Sequence, residues 1–237
     1  MSSTVTVVLN NRDLVTWPRE MVRHIERLRG LERILIVDNA STYSPLLDFY
    51  AKCPHEIVYL PNLGHTAPWS PVVQEKITTD WYVVSDADLE IGDLPSDCLQ
   101  HLMRCLAAFP RAGKIGLGLK IDGVPQESPY YNHVNTYERR FWELPLLGSL
   151  VRAAPVDTTF AIYHKSLLNR YAVCGARTDM PYAAHHPAWS IIDPDEEFQY
   201  YLDHASASSS YKAFVASTRK LSPGTPPGPT STGSSGY

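Results

Sequence analysis

The chain has 237 residues, of which 44% are hydrophobic, and it carries a formal net charge of −4. This length and composition allow one substantial hydrophobic core, and the charge excludes the basic footprint of a nucleic-acid-binding protein. No apolar run reaches the roughly eighteen residues that predict a membrane span, and the N-terminus lacks the basic region of a secretory signal. Four cysteines without C-x-x-C spacing predict neither a zinc site nor a redox motif. We expect a cytoplasmic protein whose partner is a small molecule.

Strand and helix patterns alternate through the first half of the chain. Short apolar runs predict strands at residues 4–9, 33–38, 56–60 and 81–86. Helix signals separate them: Thr16 as a cap with Gly30 at the end, Ser44-Pro45, Ser70-Pro71, and an amphipathic segment at 95–109. This order predicts an α/β fold with a mainly parallel sheet and helices on both faces, whose ligands bind at the carboxyl ends of the strands.

The second half is less regular. We predict a fifth strand at 114–121, a short helix at 136–143, a strand at 155–163, and a last helix capped by Asp193-Pro194. The loops at 122–135 and 172–192 are long enough to be functional. Residues 221–237 consist mainly of Pro, Gly, Ser and Thr, a composition that predicts a disordered tail. The predicted organisation is a single domain over residues 1–220, followed by this tail.

Carboxylates follow two of the predicted buried strands. The strand at Trp81 ends in Asp86-Ala87-Asp88, and the second strand ends in Asp38. With Asn10 after the first strand, these side chains should share the carboxyl edge of the sheet. Side chains alternate along an extended segment, so Asp86 and Asp88 point to one side and can hold one divalent cation. The alternative interpretation is a solvated acidic turn.

Four motifs in this order make residues 4–120 resemble the GT-A fold, nucleotide-sugar-dependent glycosyltransferases, in particular those of family 2. They are Asn10-Asn11-Arg12, Val37-Asp38-Asn39-Ala40-Ser41, Asn62-Leu63-Gly64 and Ser85-Asp86-Ala87-Asp88. The combination is more specific than any one motif. The resemblance implies a nucleotide-sugar-binding half at 1–120 and an acceptor-binding half at 121–220.

The resemblance also implies roles for individual residues. The acid that ends the second strand, here Asp38, accepts hydrogen bonds from the nucleotide base, although it can equally form a turn with Asn39. Asp86 and Asp88 would hold Mn²⁺ or Mg²⁺ against the donor diphosphate, stabilising the departing nucleoside diphosphate. The implied donor-binding set is Asn10, Asn11, Arg12, Asp38, Asn39, Asn62, Gly64 and Asp86. The family's usual arginine at the third helix is absent, which leaves Arg12, Arg177 or a histidine to neutralise the diphosphate.

The second half supplies candidates for a catalytic base and for further metal ligands. Asp157 lies in the segment that runs beneath the acceptor site in this fold, and Glu196 belongs to an acidic triplet at the start of the last helix. The alternatives are a hydrogen-bonded strand-edge residue for Asp157 and compensation of the helix dipole for the triplet. His185 and His186 resemble the downstream histidine that completes the metal shell in some GT-A enzymes.

These features predict a metal-dependent glycosyltransferase that moves a sugar from a nucleoside-diphosphate sugar, UDP being the favoured nucleotide, to the hydroxyl of an unknown acceptor. Inversion at the anomeric carbon is favoured, although the sequence does not fix the stereochemistry. One alternative is a sugar-1-phosphate nucleotidyltransferase, but the loop after the first strand lacks the glycine-rich cradle for a triphosphate. Another is a non-catalytic sugar-nucleotide-binding protein of the same fold.

Overall fold

A computed structural model describes residues 3–156, 159–167, 175–205 and 211–212. Within these ranges seven α-helices are present: α1 (Thr16–Ile25), α2 (Ser44–Tyr50), α3 (Pro71–Lys76), α4 (Cys98–Ala108), α5 (Tyr131–His133), α6 (Arg139–Trp142) and α7 (Glu196–His204). The strands are β1 (Val5–Asn11), β2 (Leu31–Asn39), β3 (Glu56–Leu60), β4 (Trp81–Asp86), β5 (Ile115–Gly116), β6 (Gly118–Leu119), β7 (Leu146–Leu147), β8 (Val151–Arg152), β9 (Ala161–His164), β10 (Ala176–Thr178) and β11 (Ala183–Ala184).

Nine of these strands form one sheet with the order β3-β2-β1-β4-β9-β5-β10-β8-β7. The longest pairings, which join β3, β2, β1 and β4, are parallel, whereas the short strand β9 pairs antiparallel to both β4 and β5. The register places Asn10 opposite both Val37 and Asp86, and Asn11 opposite Asp38. The predicted α/β sheet is therefore confirmed, and the ends of β1, β2 and β4 lie side by side.

Apolar side chains on the two faces of the sheet belong to separate core clusters. On one face, Val7 and Leu9 of β1 pack in the cluster that contains residues of α1, α2 and α4. On the other face, Val8 packs with Val37 and with Val73 of α3. Alternation along β1 thus sends successive side chains into opposite cores, as a strand covered on both faces requires. These two cores make the central strands a rigid support for the loops at their carboxyl ends.

The predicted fifth strand at 114–121 is wrong as one continuous element. β5 joins the main sheet, whereas β6 pairs with β11 in a separate two-stranded sheet. The chain at Gly118 comes so close to β10 that an added Cβ would lie 2.6 Å from the carbonyl oxygen of Thr178. The run alternates Gly116 and Gly118 with apolar residues, and glycine within a strand pattern is the local sign of such a close approach.

Three further predictions for the second half need correction. Of the strand expected at 155–163, only the C-terminal end is a strand, β9. The helix expected at 136–143 begins earlier, at Tyr131, and has a π-helical turn between α5 and α6. The loop at 172–192 contains β10 and β11. Residues 221–237 lie outside the described residues.

Candidate active site

Hydrogen bonds join all four predicted motif segments at the carboxyl edge of the sheet. Asn10 donates from Nδ2 to Oδ1 of Asp86 over 3.2 Å, and its Oδ1 accepts from Nδ2 of Asn39 over 2.6 Å. Asn39 in turn accepts from the backbone N–H of Leu63 over 3.1 Å, and Asn62 accepts from the N–H of Gly64 over 3.2 Å. The ends of β1, β2 and β4 and the loop after β3 are thus one network.

Asp38 forms the turn contact that was the alternative interpretation of its sequence, and it keeps one further oxygen. Its side chain is buried, and Oδ2 accepts a hydrogen bond from the backbone N–H of Ser41 over 3.0 Å, which is the turn-forming contact. Ala40, within that turn, has a positive φ of 57°. The second oxygen, Oδ1, is also buried and accepts no hydrogen bond from the described residues. A buried carboxylate oxygen without a donor suits an N–H group of a ligand.

The loop after β1 is held by Asp13, a residue that sequence analysis did not select. Asp13 is fully buried, and its Oδ1 accepts from the backbone N–H groups of Thr42 over 2.6 Å and Tyr43 over 3.0 Å. Arg12 is bonded within the protein, to Oδ2 of Asp13 at 3.3 Å and to the carbonyl oxygen of His204 at 2.9 Å. Asn11 donates to the phenol of Tyr50 over 2.9 Å. Asn11 and Arg12 therefore brace this loop.

Asp88 meets two side chains that lie far from it in sequence. Its Oδ2 accepts a 2.5 Å hydrogen bond from the phenol of Tyr211 and lies 4.0 Å from Nε2 of His186. The His186 ring stacks on Trp189, with ring centroids 4.9 Å apart. The other oxygen, Oδ1, is buried and has no hydrogen-bond partner among the described residues. Asp88 and His186, two of the predicted metal ligands, are thus brought together, and Tyr211 is an addition that the sequence did not suggest.

The side chains at this position suit a divalent cation by their chemistry. Two carboxylates, Asp86 and Asp88, and the imidazole of His186 are donors that Mn²⁺ accepts, and the unpartnered Oδ1 of Asp88 is the kind of buried atom that a cation satisfies. The described residues contain no group of three or more His, Cys, Asp or Glu side chains already arranged to hold a metal ion. Asp88 is therefore the ligand best supported by its surroundings.

His185 differs from its neighbour. Its backbone pairs with that of Glu90, through hydrogen bonds of 2.9 and 3.1 Å, and so fixes the 183–186 segment beside the Asp88 turn. Its side chain lines a cavity of about 200 Å³. The cavity is bounded by one residue after β4, by residues after β6 and by residues after β11: Glu90, Lys120, Asp122, Gly123, Val124, His185, His186, Pro187, Trp189 and Ser190. Both predicted functional loops thus contribute walls to a cavity that reaches His186.

Asp157, the first candidate base, lies outside the described residues. The described residues that flank it are Val156, which is buried, and, beyond the second undescribed residue, Thr159 and Phe160; the backbone N–H of Phe160 donates to Oγ of Ser85 over 3.0 Å. Ser85 immediately precedes Asp86 in β4. The chain on the C-terminal side of Asp157 is therefore anchored next to the acidic motif.

Arg177 was one candidate for neutralising a diphosphate, but its guanidinium is already bonded to other groups of the protein. Its guanidinium is buried, donating to Oε2 of Glu138 over 2.5 Å and to the carbonyl oxygen of Pro155 over 2.6 Å. A buried ion pair of this kind is costly to break, because the remaining charge would be left without a partner. Arg177 therefore supports the 155–156 segment instead of facing a ligand.

The acidic triplet at the start of α7 has three different environments. Asp195, and not Asp193, is the N-cap of α7, accepting from the N–H of Phe198 over 2.8 Å. Glu197 accepts from the N–H groups of Val15 and Thr16, over 2.7 and 2.9 Å, and from the Thr16 hydroxyl over 2.6 Å. Thr16, expected to cap α1, is its first residue, and Glu197 supplies the cap. Glu196 is exposed.

Replacing Glu197 with Ala should lower the free energy of unfolding by about 1–2 kcal/mol, because the first turn of α1 loses its acceptor and its compensating charge. Glu196→Ala is the matched control, since the residue belongs to the same turn of α7 but is exposed. Urea denaturation of both variants would measure the difference. Equal destabilisation by the two substitutions would contradict the capping role of Glu197.

Burial controls the ionisation of several groups around the site. Burial, followed by the charge of Asp88, raises the pKa of the Tyr211 phenol well above its ordinary value. Burial is also the main cause of a raised pKa at Tyr130, to which Tyr201 and Asp88 contribute. In α4, burial raises the pKa of Cys105 to about 11, so this thiol is not a nucleophile at neutral pH. The phenols of Tyr211 and Tyr130 therefore remain protonated and can act only as neutral hydrogen-bonding groups.

No helix in the described parts of the chain is both long enough and apolar enough to span a membrane. No protein-family model and no curated protein matches the sequence. Solved structures do match, and they establish that the chain has the GT-A fold.

Among those structures is the mannosyltransferase PcManGT from Pyrobaculum calidifontis, solved in complex with GDP-Man and Mn²⁺. Its TM-score is 0.51 at 15% identity, and the match covers 93% of this chain and 81% of that one. Mannosyl-3-phosphoglycerate synthase from Rubrobacter xylanophilus matches with a TM-score of 0.44 at 17% identity, over 70% of this chain and 54% of that one. At 15% identity the similarity to PcManGT establishes the fold alone.

Proposed function

We propose that the protein is a metal-dependent glycosyltransferase that transfers a sugar from a nucleoside-diphosphate sugar, with UDP as the nucleotide, to an acceptor hydroxyl. The observation that carries this proposal is the hydrogen-bonded network at the carboxyl edge of the sheet. It joins Asp86, through Asn10, to Asn39 and to the loop after β3. A sugar nucleotide spans several strand ends, and this network is built across the same strand ends.

The nucleotide half of the site is assigned to residues 1–120. Oδ1 of Asp38, which no described residue satisfies, accepts the ring N–H of uracil in this proposal. Asn10, Asn39, Asn62 and Gly64 shape the loops around the donor, while Asn11 and Arg12 hold the β1 loop in place. The fold match to a protein solved with GDP-Man and Mn²⁺ supports a sugar nucleotide as the ligand class.

Asp86, Asp88 and His186 would hold the divalent cation, Mn²⁺ or Mg²⁺, with His185 at the adjoining cavity wall. When bound, such a cation neutralises the charge that develops on the departing nucleoside diphosphate. The protein contributes Asp88, whose Oδ2 is already fixed by Tyr211 and whose Oδ1 has no partner among the described residues. Asn10 fixes one oxygen of Asp86 in the same way.

The acceptor half is assigned to residues 121–220, with the acceptor in the cavity lined by Lys120, Asp122, His185 and Trp189. Asp157 takes the proton from the acceptor hydroxyl as that oxygen attacks the anomeric carbon. The bond to the nucleoside diphosphate breaks as the new glycosidic bond forms, which inverts the configuration. The hydrogen bond from Phe160 to Ser85 supports this assignment, because Phe160 comes three residues after Asp157 and Ser85 immediately precedes the acidic motif. Glu196, exposed at the start of α7, is the second candidate.

A screen of nucleotide sugars for metal-dependent thermal stabilisation tests class and donor together. A true donor at about 100 times its Kd should add about 2.7 kcal/mol of stability, which raises the Tm of a chain of this size by roughly 5–10 °C. The shift should require Mn²⁺ or Mg²⁺ and disappear with chelator. Stabilisation by every nucleotide sugar irrespective of metal would instead favour a non-catalytic binding protein, and none by any would contradict the proposal.

A further inference from the structure

Tyr211 reaches the acidic motif from the C-terminal part of the chain. Its phenol donates to Oδ2 of Asp88 over 2.5 Å, although the two residues are 123 positions apart in sequence. Only 8% of Tyr211 is exposed, the same fraction as for Asp88. The ring lies in an aromatic cluster, with centroid distances of 5.5–6.1 Å to its members Phe198, Tyr201, His186 and Tyr130. The phenol is thus a buried, firmly held donor.

Because of this hydrogen bond, one carboxylate oxygen of Asp88 has a partner and the other has none among the described residues. Oδ2 receives the phenol proton, whereas Oδ1 is buried without a partner among the described residues. The phenol oxygen also lies 3.2 Å from Nε2 of His186. Its distance to Nδ1 of the same ring is 3.5 Å. Because the single phenol proton goes to Asp88, only a protonated ring nitrogen of His186 can donate to the phenol oxygen. A buried carboxylate with only one oxygen satisfied is unfavourable unless a cation or a donor meets the other oxygen.

We propose that Tyr211 is a positioning residue for metal binding: it holds Asp88 so that Oδ1 is presented to the divalent cation. This inference rests on the metal site of the proposed function. Carboxylate ligands of metals are commonly oriented by hydrogen bonds from a second layer of residues, and losing one such partner typically lowers metal affinity about 10–100-fold. The phenol of Tyr211 is the side-chain donor that meets Asp88 in the described residues.

Direct titration of the full-length chain with Mn²⁺, by calorimetry or by the electron paramagnetic resonance signal of the free ion, tests the proposal without any assay of activity. Tyr211→Phe should weaken Mn²⁺ binding about tenfold or more, because it removes only the hydroxyl and keeps the ring in its cluster. Tyr201→Phe, which removes a phenol from the same cluster, should leave the affinity unchanged. Tyr211→Met, which also removes the hydroxyl but keeps most of the side-chain volume, should weaken Mn²⁺ binding to a similar extent.

Tyr211→Phe and Tyr211→Met change the packing of the cluster differently but remove the same hydroxyl, so a shared loss of affinity identifies the hydroxyl as the cause. Unchanged or tighter Mn²⁺ binding by Tyr211→Phe would overturn the proposal while leaving the metal site itself intact. Failure of the unsubstituted chain to bind Mn²⁺ would overturn both the metal site and the role of Tyr211. If Tyr211→Phe does not fold, unchanged Mn²⁺ binding by a folded Tyr211→Met variant would overturn the proposal on its own.

Discussion

The Asp88→Asn variant should bind a sugar nucleotide equally weakly in Mn²⁺ and in chelator, whereas the unsubstituted chain binds it much more tightly in Mn²⁺. The substitution keeps the size of the side chain but removes the charge from Oδ1, the buried oxygen without a partner in the described residues. Hard divalent cations bind a charged carboxylate oxygen more strongly than a neutral amide oxygen, so the substitution should lower Mn²⁺ affinity by more than the tenfold expected for a supporting residue. Titration calorimetry with the donor found in the stability screen would measure the difference.

A control variant and a stability measurement make this result specific to the acidic motif. Asp48→Asn removes an exposed carboxylate of α2 and should leave metal-dependent binding unchanged. Asp88→Asn should also be at least as stable as the parent chain without metal, since it removes the charge of a buried carboxylate. Metal-dependent donor binding that survives in Asp88→Asn would show that the acidic motif is not the cation site.

The sheet was predictable because its central strands are apolar along their whole length and alternate with helices. That pattern requires burial on both faces, and parallel pairing then brings the ends of β1, β2 and β4 to one edge. The break between β5 and β6 was not predicted, because glycine in the run marks a close approach of the backbone but does not show that Thr178 is its partner. Contacts across 60 positions of sequence leave no periodic signal.

The candidate site also contains some residues that the sequence could predict and others that it could not. Three of its residues lie at the ends of predicted strands: Asn10, Asp38 and Asp86. Their meeting at one edge of the sheet could therefore be predicted from the sequence. Glu197 and Tyr211 could not be found, since each acts on a group more than a hundred positions away, at the start of α1 and at Asp88 respectively. Asp13 offered only a local clue, an acid within a polar loop. His186 was a prediction from resemblance, and its 4.0 Å distance to Asp88 places it beside the motif.

Replacing Asp157 with Asn should lower the rate of sugar transfer about 100- to 10,000-fold, the usual contribution of a general base. Donor affinity and its dependence on Mn²⁺ should be unchanged, because the base contacts the acceptor hydroxyl and not the nucleotide. Glu196→Gln should keep nearly full activity, since an exposed carboxylate in the first turn of α7 is explained by the helix dipole. Single-turnover transfer with a saturating donor would compare the two variants.

The reverse result, a large loss in Glu196→Gln with normal transfer in Asp157→Asn, would move the base to α7. Retention of activity in both variants would argue against a carboxylate base, and the anomeric configuration of the product, read by NMR, would then decide between inversion and retention. The position of the neighbouring chain favours Asp157. Phe160 is bonded to Ser85, one residue before Asp86, and the carbonyl of Pro155 is held by buried Arg177. Described residues before and after Asp157 are thus held in place by buried groups, which supports a base that must meet the acceptor at hydrogen-bond distance.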